Sequence, residues 1–493
     1  MRQNHTHANP VLVGPPRGRQ PAKPVAIKDG PPDEICVYMD TRDGSFWFKL
    51  KGRFINLKKA ELKLHFATLG LREDRYWNGI REIDWPFWNA MNTRLIDYAG
   101  SLGGHRSGIF TDGSGRQFLV TDEAGGVWDD LVPATSPAPK FFRAFVSELL
   151  PDGQADYFFY WLAIALRSLR RGDFQPGQVL IFAGPHRCGK SLLQSIVTEV
   201  LGGRVANPSL YLFQKTTFNY DLAGAEHWAI EDPRSTTDMR TRRDFGAALK
   251  EATVNRNLAI HRKTKDALSL PIFRRVTISV NDEPENLAVS PPIEPSIEDK
   301  MFLFHCDRVN EAFNQFRVVS GTRSLLTETR NEGELDQAGL WKTVKDEIPL
   351  IRAWLLRTFK TVPTELRDDR FGIKAWQHAD LLEELSEMSG DVRLLRLIDE
   401  VLFKPAKGDA PRGEWGGAAI DLEKILRASE FAFEVEKCLK GFGQCGSQLG
   451  KLAKKHPERV TKERSGGYTT WKIARPAETL PAVNGHSNGN GRH

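Results

Sequence analysis

The sequence has no long apolar run. Its longest, Tyr157 to Leu166, falls short of the roughly 18 residues that cross a bilayer, which argues against a helical membrane protein. Cysteine is sparse. Five occur, at 36, 188, 306, 438 and 445, odd in number and without metal-ligand spacing. That excludes a disulfide scaffold and fits a reducing interior. The start, Met-Arg-Gln-Asn-His, offers no apolar core for a signal peptide, so a cytoplasmic location is expected. A strong charge bias is missing too. Lys and Arg total 69 against 63 Asp and Glu, a net charge of +6. That balance alone does not argue for a nucleic-acid partner; the distribution of charge has to. No internal repeat is present.

What is there supports several buried cores. Hydrophobic residues make up 40% of the 493, aromatics 10%, and twelve are Trp. That length corresponds to two to four domains. Residues 1–33, rich in Pro, Gly, Arg and Lys, read as a disordered basic arm, and 476–493 as a disordered tail. Residues 34–150 read as a small α+β region, with strands at Ile35–Tyr38 and Ser45–Phe48 and helical spacing from Leu57 to Leu71. From 151 to 308 short apolar strands alternate with helices, the pattern of a parallel α/β sheet. Residues 309–390 read as helical, and 391–475 as a closing module of helices and a hairpin.

The most specific motif is Gly184-Pro185-His186-Arg187-Cys188-Gly189-Lys190-Ser191. A continuous apolar run, Gln178–Ala183, precedes it, and the amphipathic stretch Leu192–Val197 follows. Strand, loop and helix in that order are the context a phosphate-binding loop requires. The glycines let backbone N–H groups close around phosphates, and the helix N-terminus adds positive partial charge. Lys190 would reach the β- and γ-phosphates of ATP, and the Ser191 hydroxyl would hold Mg²⁺.

Phosphoryl transfer also needs acids for the metal and the attacking water. The apolar strand His227–Ile230 ends in Glu231-Asp232, about forty residues after the loop. One carboxylate would bind Mg²⁺ and the other would orient water; the sequence does not say which. A further strand, Arg275–Val280, ends in Asn281, a candidate sensor of the γ-phosphate if this strand lies beside the loop strand.

Between these motifs lies a strand–tip–strand segment, Val254 to Pro271. From Lys250 to Arg275 there are seven Lys or Arg against two acids, with His261, Arg262, Lys263 and Lys265 at the tip. A cationic tip suits the phosphates of a single strand. Near the C-terminus, Gln444–Lys455 reads as a short basic helix. Val460–Arg464 and Tyr468–Ile473 then flank Ser465-Gly466-Gly467, a hairpin signal. Helix then hairpin is a winged-helix pattern. Lys437–Ile473 carries nine Lys or Arg and two acids, so Lys451, Lys454, Lys455, Lys462 and Arg464 are candidate DNA contacts.

The order of parts from Gly184 to Asn281 resembles superfamily 3 helicases of small DNA viruses, phages and mobile elements. Those have a Walker A loop, a Walker B strand, a basic hairpin and a sensor Asn in this sequence order. The resemblance implies an AAA+ P-loop core of α/β fold, ATP and Mg²⁺ as cofactors, single-stranded and forked DNA as partners, and a ring, usually a homo-hexamer, in a bacterial host. It also implies an arginine finger donated by the neighbouring subunit. The matching segment, Ile297–Phe304, carries Lys300 where the family usually has Arg, with Arg308, Arg274 and Arg275 as alternatives. Neither primase acids in 34–150 nor a nickase motif is evident, so a separate primase or initiator is expected. The alternatives are an ATP-regulated origin-binding protein and another P-loop DNA motor.

Overall fold

The computed structural model describes residues 35–231, 239–263, 266–287, 290–291, 296–318, 334–387, 390–404, 413–439, 443–465 and 468–476. The basic arm, the C-terminal tail from 477 on, Asp232 and Lys265 therefore lie outside the described residues. The chain forms two units, residues 1–101 with 106–122, and residues 102–105 with 123–493.

In the first unit, β1 (Val37–Asp40), β2 (Phe46–Leu50) and β3 (Arg53–Asn56) run antiparallel. Helix α1 (Lys59–Thr68) follows, then α2 (Trp85–Thr93) and β4 (Leu95–Ile96), which pairs parallel to β1. The sheet order is β3-β2-β1-β4. The period-2 pattern of β2 turns Phe48 inward, where it packs with Leu62 and Phe66 of α1 and Phe87 and Ala90 of α2. Helix α2 was not evident from spacing. Pro86 lies in its first turn, where its missing N–H goes unused. A second sheet joins β5 (Tyr98–Gly100), β6 (Gly108–Thr111) and β7 (Gln117–Val120) in the order β5-β7-β6. Strands β6 and β7 form a hairpin, with Asp112 accepting from Ser114 N and Arg116 N in the turn.

The second unit is built on a fully parallel sheet. Helices α3 (Lys140–Leu149) and α4 (Gln154–Arg171) precede β8 (Val179–Ala183) and α5 (Lys190–Val200). The chain continues through β9 (Val205–Ala206), β10 (His227–Glu231), α6 (Met239–Val254), β11 (Asn257–Ile260) and β12 (Leu268–Pro271). Strands β13 (Arg275–Val280) and β14 (Met301–His305) complete it. The sheet order is β9-β10-β13-β8-β14. All five residues of β8 are buried, as expected for a strand covered on both faces. Phe142, Phe158, Trp161, Leu193, Val197 and Phe304 form one core with Ile351 of α7 (Gln337–Thr358). Gly172 (φ +71°) ends α4 by donating to Ser168 O and Leu169 O.

The C-terminal segment folds as β15 (Glu414–Gly417), α8 (Ala419–Arg427), α9 (Ala432–Cys438), α10 (Cys445–Lys455), β16 (Val460–Ser465) and β17 (Tyr468–Ala474). Its sheet order is β15-β17-β16, around Trp415, Leu422, Leu426, Leu449, Trp471 and Ile473. No described helix is long and apolar enough to cross a membrane. The α/β fold read from the sequence is the fold observed.

Candidate nucleotide-binding site

The loop 184–189 leaves the C-terminal end of β8 and enters α5. Gly184 passes so close to Cys306 that a β-carbon there would lie 2.3 Å from the Cys306 carbonyl oxygen, so no larger residue fits. Gly189 sits at φ +123°, a conformation L side chains rarely adopt. Arg187 holds a left-handed φ of +61° without glycine's freedom. Such a residue costs about 1–2 kcal/mol, and that kind of strain concentrates at functional sites. His186, Arg187 and Ser191 are exposed, Pro185 and Gly189 half-buried, and Cys188 and Lys190 buried.

Lys190 folds back over the loop. Its Nζ donates to the carbonyls of Gly184 (2.7 Å) and Pro185 (2.8 Å), and stands 3.7 Å from Cys188 Sγ and 3.5 Å from Asn281 Oδ1. All four are neutral acceptors. A largely buried ammonium held by dipoles alone fits an anionic ligand such as a triphosphate, because a phosphate would supply the opposite charge.

Strand β13 lies directly beside β8, with Leu180 opposite Thr277 and Ala183 opposite Val280. Strand β10 follows β13, with Glu231 opposite Ser279. Because every strand is parallel, Glu231, Asn281 and the loop emerge at one edge of the sheet. Glu231 is exposed there and Asn281 half-buried. ATP would lie along the loop N–H groups. Mg²⁺ would take the Ser191 hydroxyl and a carboxylate of the 231–232 pair, keeping phosphates and waters as its other ligands.

Spacing did not reveal what lies beneath this edge. Buried Gln194 of α5 donates from Nε2 to Thr277 Oγ1 (2.8 Å) and Ile230 O (3.2 Å). Thr198 Oγ1 donates to Gln194 O (3.1 Å) and lies 2.7 Å from His227 Nδ1, while His227 Nε2 lies 2.8 Å from Thr277 Oγ1. With the Thr198 hydroxyl donating to Gln194 O, the remaining bonds close one way. Thr198 gives its proton to Gln194, His227 gives Nδ1–H to Thr198, and Thr277 gives its proton to His227 Nε2. Only a neutral imidazole satisfies that chain, and burial pushes the His227 pKa down to about 3. The network ties the loop helix to the acidic and sensor strands.

Lys300 precedes β14, at the opposite end of the sheet. Met301 is level with Val179. Lys300 is thus about five residues, roughly 16 Å at ~3.3 Å per residue, from the loop end of β8. It is buried and paired with Asp299. It does not reach its own chain's loop. Of the alternative fingers, Arg308 is exposed beyond the loop end of β14. Arg274 and Arg275 are buried and unsuited to that role. Arg274 donates to Ala252 O (2.7 Å) and to Asn255 O, and lies over Trp228. Arg275 lies 4.6 Å from the Phe273 ring centroid, and burial lowers its pKa to about 9. Gly177 makes room for it, since a β-carbon there would stand 2.4 Å from its Nε.

The basic hairpin forms as β11 and β12, with Ile260 opposite Leu268. Arg262 and Lys263 are exposed at its tip and His261 is half-buried. Sequence reasoning missed its anchor. Asn219, fully buried, donates to Ala259 O (2.9 Å) and accepts from His261 N (2.7 Å), and its own N–H donates to His261 O (3.2 Å). Arg262 lies 4.6 Å from the ring centroid of neighbouring Tyr220. Asn219 heads the short helix Tyr220–Ala223, and Leu222 O in that helix accepts from Trp228 Nε1 of β10 (3.0 Å). The hairpin tip is thereby linked to the strand that carries Glu231.

In the C-terminal segment, Lys454, Lys455, Lys462 and Arg464 are exposed and Lys451 is half-buried. Lys462 lies 5.5 Å from the Trp471 ring centroid, and Lys472 pairs with Glu463 (2.8 Å).

No protein-family model matches the chain, and no curated protein matches it. Solved structures do. The A-form apo structure of the NrS-1 C-terminal region superposes with a TM-score of 0.53 at 13% identity, covering 90% of this chain and 97% of that one. A second apo structure of that region gives 0.51 at 13%, covering 90% and 96%. SCCmec type IV Cch, described as an active helicase, gives 0.39 at 11%, covering 89% and 93%. The NrS-1 matches show a shared fold across most of both chains. Fold and loop together define the class: an α/β P-loop NTPase core with appended units.

Proposed function

We propose that the chain is an ATP-dependent DNA helicase of the superfamily 3 type, serving replication of a phage, plasmid or integrated element. One observation carries the reading. The phosphate loop, Glu231 and Asn281 share one edge of a parallel sheet, and a cationic hairpin is fastened to that sheet through Asn219. Nucleotide chemistry at the edge would move the tip, where Arg262 and Lys263 grip one strand of a fork. Lys190 and Ser191 bind ATP and Mg²⁺, and of Glu231 and Asp232 one holds the metal while the other orients water. The finger, Lys300 released from Asp299 or the exposed Arg308, acts on a neighbouring subunit's site, which requires a ring, proposed as a homo-hexamer. The C-terminal helix and hairpin hold duplex DNA through Lys451, Lys454, Lys455, Lys462 and Arg464, and a separate primase or initiator works with the ring.

That cationic C-terminal segment favours a second reading, an ATP-regulated origin-binding protein whose hydrolysis switches assembly only. Steady-state hydrolysis is the first test. The purified chain should hydrolyse ATP faster with single-stranded DNA, and Lys190→Ala should abolish this. Undiminished hydrolysis by Lys190→Ala removes the site assignment.

A further inference from the structure

The hairpin of the first unit is built at a local cost and carries unneutralised charge. Strands β2 and β3 join through two residues, Lys51 and Gly52, with Leu50 opposite Arg53. Both linking residues have positive φ, +48° and +83°. That is the primed turn favoured between twisted strands, and it prefers Asn, Asp or Gly at the first position. A lysine stands there instead, in a conformation its β-carbon resists.

The cations continue beyond the turn. Lys49, Lys51, Arg53, Lys58 and Lys59 are all exposed, within eleven residues of chain that include no acid. None forms an ion pair among the described residues, because the nearby carboxylates are taken. Asp40 holds Arg42 (3.0 Å), Asp84 holds Lys63 (2.6 Å) and Arg81 (2.9 Å), and Glu61 accepts from the Lys58 backbone N (3.0 Å). Lys58 and Lys59 also stand at the N-terminus of α1, the end where cations are disfavoured. Cations on an edge strand such as β3 also guard against strand pairing between molecules. That role accounts for Arg53, and Lys49 and Lys59 lie over the Phe54 and Phe87 rings (5.4 and 5.1 Å to the centroids), but neither accounts for Lys51 in the turn or Lys58 at the helix start.

We propose that the β2–β3 hairpin is a duplex DNA-binding wing, gripping the phosphate backbone through Lys49, Lys51, Arg53 and Lys58. Charge complementarity selects a polyanion. The aromatic residues select a duplex over a single strand. Single-strand sites offer free rings for bases to stack on, whereas Tyr38, Trp47 and Phe54 pack against Ile96, Ala99 and Leu119. What projects outward is charge on a two-residue tip, which suits the backbone beside a groove.

The test is the salt dependence of duplex binding by the full chain without nucleotide, from about 50 to 200 mM salt. Each phosphate contact contributes about 0.9 to the slope of log K against log salt, so four contribute roughly 3 to 4. The set Lys49→Ala, Lys51→Asn, Arg53→Ala and Lys58→Ala should lower the slope by that amount and weaken binding at low salt by at least tenfold. Lys51→Asn alone suits the turn better than lysine and should lower it by about 0.9. The charge-keeping set Lys49→Arg, Lys51→Arg, Arg53→Lys and Lys58→Arg should bind as the unaltered chain does. ATP hydrolysis without DNA should be unchanged in all three. An unaltered slope in the neutralised set overturns the proposal, as does an equal loss in the charge-keeping set. Loss confined to single-stranded DNA overturns the assignment to duplex.

Discussion

Lowering the pH from 7 to 5 probes the network beneath the nucleotide edge. His227 is fully buried, and its imidazole accepts a proton only with a folded pKa of about 3, against 6.5 for an exposed histidine. The folded value is depressed, so the unfolded chain takes up the proton first. Stability is complete above about 6.5 and is lost as the pH falls from there towards 3. Each pH unit in that window costs about 1.4 kcal/mol, so pH 5 removes about 2 kcal/mol. At pH 5 the folded imidazole stays neutral and its bonds to Thr198 and Thr277 persist, so the loss enters through openings that free His227 to take up a proton. Native-state hydrogen exchange of the β10 and β13 amides, compared between the unaltered chain and His227→Gln, isolates this term because other titrating groups cancel. The opening free energy should fall by about 2 kcal/mol more in the unaltered chain. A parallel fall in both would refute the reasoning.

Three further outcomes follow from the geometry. Glu231→Gln should bind nucleotide normally while single-turnover hydrolysis falls roughly 10²- to 10⁴-fold, the range for losing a positioned acid–base group; equal hydrolysis would remove Glu231 from the chemistry. Asn219→Ala leaves Ala259 O and His261 N without their side-chain partner, at about 1–3 kcal/mol for a buried group. It should keep hydrolysis without DNA but lose its stimulation by single-stranded DNA, and retained stimulation would show that the anchor does not couple the hairpin to the sheet. Lys263→Ala should likewise keep basal hydrolysis and lose unwinding of a fork, and full-rate unwinding would remove the tip from DNA contact.

Local patterns in the sequence are faithfully realised in the fold. Gly184 to Ser191 is a contiguous motif with an apolar strand before it and an amphipathic helix after it, so its context was readable along the chain. The Arg275–Val280 strand was likewise legible from residue type and order, while its place beside the loop strand is given by the structure. The Gln194–Thr198–His227–Thr277 network was not readable, because its members lie on three elements that only the parallel crossovers bring together. Asn219 was hidden for the same reason, forty residues from the strand it holds. Charge counting misled at Arg274 and Arg275. They belong to the basic segment by sequence, yet they start a buried strand and point into the protein. Strand β15 was missed because Glu414-Trp415-Gly416-Gly417 has two glycines and almost no alternation. The first unit's hairpin was read only as short strands, since the meaning of Lys51 appears only once its φ is known.

The most direct measurement is displacement of one strand from a forked duplex, with and without ATP, by the unaltered chain and by Lys190→Ala. A ring helicase driven from the loop at 184–191 releases the strand only when the chain is unaltered and ATP is present. Hydrolysis of ATP with no strand released, or release that persists in Lys190→Ala, would contradict it.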